Sequence, residues 1–132
     1  MHKYKYLIQQ GIKEPLESVQ FHGAVPFERF VMLKKDTVEG DGGIKIVTHV
    51  LKNVPEKIDP YCELHFHDFD EINLILSTNN LKYRVQLEDE EYMVDAPSTI
   101  YFPKGVRHAS EVVSGEGVMV TILFTKDYKA QQ

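Results

Sequence analysis

Apolar and polar residues alternate strictly over residues 81–88, LKYRVQLE. Leu81, Tyr83, Val85 and Leu87 share one face, and Lys82, Arg84, Gln86 and Glu88 share the other. Period two with one apolar face predicts a half-buried antiparallel strand. Short apolar runs predict further strands at Phe30–Leu33, Ile44–Leu51, Cys62–His67, Glu71–Leu76, Glu91–Val94, Ser98–Phe102 and Val118–Phe124. Turn-forming residues separate them: EGDGG at 39–43, STNN at 77–80, EDEE at 88–91, DAPS at 95–98, PKG at 103–105 and SGEG at 114–117. Many short strands with tight turns predict an all-β antiparallel sandwich or closed barrel. Residues 1–29 carry no clear period; Leu16 to Phe21 reads either as a helical turn or as an outlying strand.

A chain of 132 residues is long enough for one domain with its own core. Hydrophobic content of 42% and charged content of 27% are ordinary for a globular protein. Fifteen basic against twenty acidic residues give a net charge of −5, with no basic stripe, which argues against nucleic-acid binding. The first ten residues, MHKYKYLIQQ, hold no apolar run of signal-peptide length, and no stretch approaches membrane-spanning length. The single cysteine, Cys62, has no disulfide partner within the chain. The expectation is a cytoplasmic protein, without membrane contact, in a reducing compartment. Cys62 reads either as a small buried hydrophobe or as a soft metal ligand.

The chemistry concentrates in ELHFHDFDE, residues 63–71. Residues two apart on a strand share a face, so His65 and His67 project together. Glu71, an even step further, returns to that face if the strand continues, whereas Asp68 and Asp70 point away. Two imidazoles and a carboxylate suit iron, manganese, nickel, copper or zinc; the bland alternative is a polar strand face at an exposed edge. Downstream, IYFPKGVRHA places His108 just past a Pro–x–Gly turn, where it could face the same interior.

HxHxxxE at 65–71 followed by PxGxxH at 103–108 resembles the two signature motifs of the cupin superfamily, over about residues 59–112. The resemblance implies a double-stranded β-helix, the jelly-roll barrel, as one domain over 30–132 with a short N-terminal extension, 1–29. It also implies one divalent transition-metal ion per chain (Fe, Mn, Ni, Zn or Cu) held by His65, His67, Glu71 and His108. The pattern departs at its turn positions. Asp59, Thr78 or Asn79, and Pro97 stand where glycines are usual, and Val112 where asparagine is usual. All four implied ligands are present.

Parity adds Asn73 and Ile75 as pocket-lining candidates, and His49 as a core histidine or a proton-transfer group. Tyr61 and Tyr101 offer hydroxyls beside the motifs. Lys104 and Arg107 lie in the turn near the expected barrel mouth, suited to an anionic substrate. The functional expectation is a metalloenzyme acting on a small carboxylate or carbonyl metabolite: a dioxygenase, isomerase, decarboxylase or lyase. The alternatives are a non-catalytic module that senses or binds a small ligand, and an interaction protein without an ion. Open sheet edges and Phe21, Val25, Phe27 and Phe30 point to a homodimer formed through the N-terminal extension.

Overall fold

The computed structural model describes residues 3–36 and 42–132. Residues 39–41 of the expected EGDGG turn lie outside the described residues. The described residues form seven strands: β1 (Ile12–Lys13), β2 (Glu28–Asp36), β3 (Gly43–Leu51), β4 (Glu71–Leu87), β5 (Glu90–Asp95), β6 (Ser98–Phe102) and β7 (His108–Leu123). All pairings are antiparallel, in the order β1-β2-β3-β7-β4-β5, with β6 added to β4. The result is the expected all-β jelly-roll barrel. No helix among the described residues is long and apolar enough to cross a membrane.

Two expected turns are not chain reversals. STNN lies inside β4, and SGEG inside β7. These two long strands pair with each other from Glu71↔Leu123 to Leu87↔His108, and their register shifts three times between Leu76 and Tyr83. Turn-forming residues act here as facing irregularities that let both strands bend and carry on around the barrel. Asn80 has φ 52° and Gly115 φ 94°. A side chain at Gly115 would place a Cβ 2.1 Å from the Asn80 carbonyl oxygen, so backbone proximity requires glycine there.

The expected strand Cys62–His67 is also corrected. Its residues make single bridges to three different partners, His22↔Cys62, His65↔His108 and Phe66↔Gln131, and no continuous ladder forms. The segment is caught between the N-terminal region, β7 and the C-terminal tail, each reaching it at one rung.

The inward face of β4 explains where the chemistry sits. Buried Leu81, Tyr83 and Val85 alternate with partly exposed Lys82 and Arg84, as the pattern demands, and together with Ile75 they build an apolar core. Phe102 from β6 closes that core, and burying one such ring contributes about 2–3 kcal/mol. At the other end of the same face, Glu71 and Asn73 are equally buried but polar. Before β2, Leu16 is buried in a single 3-10 turn, Leu16–Ser18, and Val19, Val25 and Phe27 pack against the core. Gly23 donates its N–H to the Tyr61 carbonyl at 2.8 Å, tying this segment to the barrel.

Candidate metal centre

His65 and His108 exchange backbone hydrogen bonds, at 3.1 Å and 2.8 Å, so their rings lie side by side with centroids 4.7 Å apart. The Pro103–Gly105 turn makes this possible. Gly105, at φ 83°, donates its N–H to the His67 carbonyl at 2.8 Å, which locks the second motif onto the first. All three rings are almost fully buried, at 2–3% exposure, and their ligand-capable nitrogens lie within 4.8 Å of one another. Glu71 enters at the start of β4 after a bend. Its Oε1 lies 3.2 Å from His67 Nε2 and 3.4 Å from His108 Nε2.

Ring orientation is set by the backbone. His65 Nδ1 contacts the Glu63 carbonyl at 2.6 Å, His67 Nδ1 the Lys129 carbonyl at 2.7 Å, and His108 Nδ1 the Val106 carbonyl at 3.0 Å. A carbonyl only accepts, so each Nδ1 is the protonated, donating nitrogen and each Nε2 keeps its lone pair. The Nε2 atoms of His67 and His108 are buried without a hydrogen-bond partner. Two lone pairs thus face a carboxylate with nothing positive between them, an arrangement that a metal cation satisfies. The donor set fits a first-row divalent ion.

Burial pushes the His65 imidazole down to about 4, keeping it in the ligand-competent form at neutral pH. Burial raises the Glu71 carboxyl; protonated His108 and His67 rings would outweigh that and hold it below the usual carboxylate range, and with their Nε2 lone pairs free a metal cation would take that role. Asn73 completes the support. Its Nδ2 donates to Glu71 Oε2 at 2.8 Å, and its Oδ1 accepts from the Ser110 hydroxyl at 3.0 Å.

A cavity of about 60 Å³ adjoins the cluster, and His65, Glu71 and His108 form part of its wall. His49 and Asn73 line it as expected. The other three expected lining residues do not. Ile75 is buried in the apolar core, because the cavity stops short of its rung on β4. Tyr101 is 51% exposed and gives its hydroxyl to Asp70, since its parity on β6 is opposite to that of Ile100 and Phe102. Arg107 lies outside, 3.8 Å from Glu88 and over the Phe66 ring.

Asp68 and Asp70 also face away from the cluster. Asp68 accepts from Gln131 Nε2 and Asp70 from the Lys104 N–H. Cys62 lines the cavity with its Sγ 3.4 Å from His22 Nε2, but burial pushes its thiol up to about 12, and it is not among the clustered nitrogens.

Several wall residues escaped the sequence reading: His22, Arg29, Ser110 and Tyr128. Tyr128 places its hydroxyl 3.3 Å from His65 Nε2, and burial pushes its phenol up, so it stays an O–H donor. It arrives on the tail after β7, where no periodicity marks a direction. Ser110 and Arg29 do sit at inward parity on β7 and β2, a signal available only once those strands are extended past their apolar runs.

No family model and no curated protein sequence matches the chain. Solved structures do. A DMSP lyase, DddQ, from Ruegeria pomeroyi superposes with a TM-score of 0.57 and 12% identity, over 97% of this chain and 62% of that one. A cupin-2 domain from Rhodospirillum rubrum gives 0.56 and 12%, over 92% and 73%. KdgF from Halomonas sp. gives 0.55 and 13%, over 88% and 87%. At such identities the likeness is one of fold, and the fold is that of the cupins, with a three-histidine cluster inside the barrel that can hold a transition metal.

Proposed function

We propose that the chain is a metal-dependent enzyme that binds one divalent ion through His65, His67, His108 and Glu71 and acts on a small carboxylate or carbonyl metabolite inside the barrel. The observation that carries this reading is the orientation of the rings. Three backbone carbonyls hold three Nδ1–H groups, and the buried Nε2 atoms of His67 and His108 turn toward the Glu71 carboxylate. Proteins rarely bury such a set without a cation to complete it.

Iron, manganese, nickel, zinc or copper bound there supplies Lewis acidity or a redox centre for dioxygenase, isomerase, decarboxylase or lyase chemistry. The chain itself supplies position and a proton. Asn73 fixes the Glu71 carboxylate, the C-terminal tail covers His67, and the Tyr128 hydroxyl stands ready to donate to a substrate oxygen beside His65. The likeness in fold to an enzyme, a DMSP lyase, favours catalysis over ligand storage.

Metal analysis of protein purified without an affinity tag tests the reading, beside the His65→Ala/His108→Ala double variant. About one transition-metal ion per chain, lost in the folded double variant, is the expected result. A folded native chain that takes up none of the five added ions rejects it.

A further inference from the structure

Arg29 and His49 are cross-strand partners in the β2–β3 ladder, so their side chains leave the sheet on the same face. Both line the cavity, and each is 6% exposed. Arg29 Nη1 bonds the Glu14 carboxylate at 2.9 Å, while Arg29 Nε is buried without a hydrogen-bond partner. His49 Nδ1 is likewise buried and unpartnered. Orphaned buried polar atoms of this kind are uncommon, and two on one cavity wall call for a ligand.

The chemistry selects that ligand. A guanidinium cannot be deprotonated and presents donors in a planar fork suited to a carboxylate. His49, pushed down to about 3 by burial and by Arg29, stays neutral and offers a directional hydrogen bond without a second charge. His22, Arg29, His49 and the metal-side carboxylate of Glu71 all line this one cavity, so the cation and the carboxylate border a shared space. The cavity's 60 Å³ corresponds to roughly four water positions, room for a small molecule only.

We infer that Arg29 and His49 form an anion subsite, and that the ligand is a small organic acid whose carboxylate sits against Arg29 while an oxygen at its other end meets the metal centre. The inference deepens the proposed function and rests on it. Arg29 is a binding residue that sets specificity for acids over their uncharged analogues. Glu14, bound to the same guanidinium from the solvent side, competes with the ligand for it.

The test uses the full chain loaded with Co(II), whose visible absorption reports ligands arriving at the metal. The probes are malonate and succinate beside their mono-amides, malonamate and succinamate. Wild type should bind at least one diacid about tenfold or more tighter than its mono-amide. Arg29→Met should reduce that preference to within about twofold with Co(II) uptake unchanged, and Glu14→Gln, which frees the guanidinium, should strengthen it. Diacid and mono-amide binding wild type equally, or a preference that survives in Arg29→Met, overturns the subsite and leaves the metal reading standing. Failure to take up Co(II) at all overturns both. If Arg29→Met does not fold, the wild-type comparison and the Glu14→Gln variant decide the matter.

Discussion

Glu71 Oε1 lies 3.2 Å from His67 Nε2, a buried carboxylate facing the ring nitrogen left over once Nδ1 has donated to the Lys129 carbonyl. Without a cation the two acceptors oppose each other; with one, both become ligands. Glu71→Gln separates stability from metal binding, because its amide N–H can donate to the imidazole. The metal-free variant should be more stable than wild type by about 1–2 kcal/mol in urea unfolding, while its metal affinity falls about tenfold or more. A variant that loses both stability and metal affinity contradicts this account.

The C-terminal tail supplies a support that no motif contains. The Lys129 carbonyl fixes the His67 ring, and the bridge Phe66↔Gln131 holds the tail in place. Removing residues 128–132 should weaken metal binding about 10–100-fold. Tyr128→Phe should leave metal binding unchanged, since the hydroxyl contacts His65 without orienting it. Competition against a chromogenic chelator measures both.

Acid should destabilise the metal-free protein in a window set by the buried histidines. The folded chain keeps His49 neutral down to about pH 3, whereas the unfolded chain binds that proton near 6.5. Between these values the unfolded state holds more protons, so stability is present above pH 6.5 and is lost as pH falls. His65, at about 4, acts in the same direction. His49 alone should account for about 2 kcal/mol between pH 6.5 and 5. That share should be missing from the pH series of His49→Gln, read as urea midpoints.

Gly115 holds β7 against the Asn80 carbonyl where the two long strands bend. Gly115→Ala combines a positive φ with a Cβ placed 2.1 Å from that oxygen. It should cost about 2 kcal/mol or more and lower the melting temperature visibly in circular dichroism.

The N-terminal segment exposes Tyr4, Tyr6, Leu7, Ile8 and Ile12, and β1 is hydrogen-bonded to β2 on one side only. We propose that a second copy covers this edge in a homodimer. Light scattering should give the mass of two chains, and Tyr6→Ser/Ile8→Ser should give the mass of one. A wild-type mass of one chain at micromolar concentration rejects the dimer.

Fold class and the histidines of the cluster were legible in the pattern of residues and in the two motifs. Period-two patterning in 81–88 does not fit any other element; parity pairs His65 with His67, and the resemblance carried by PxGxxH adds His108. Turn chemistry was the weaker guide. STNN and SGEG carry the residues of a reversal, yet they sit opposite each other in β4 and β7 as paired irregularities, because a Gly or Asn at positive φ serves a bend as well as a turn.

What faces the cluster depends instead on how distant segments pack around it. Parity fixes which side of its own strand a residue occupies, but not which distant segment arrives opposite. Lys129 lies 62 residues from His67 and still orients its ring, and Tyr128 lies 63 residues from the His65 it contacts. Arg29 and His49 meet across a ladder whose register no local pattern specifies. Tyr101 and Arg107 were misplaced for a local reason: each stands one residue from a buried neighbour, Phe102 and His108, and so points to the opposite face. The clustered histidines were legible because the two motifs fix local spacing; the pocket was not, because closure of the barrel chooses its walls.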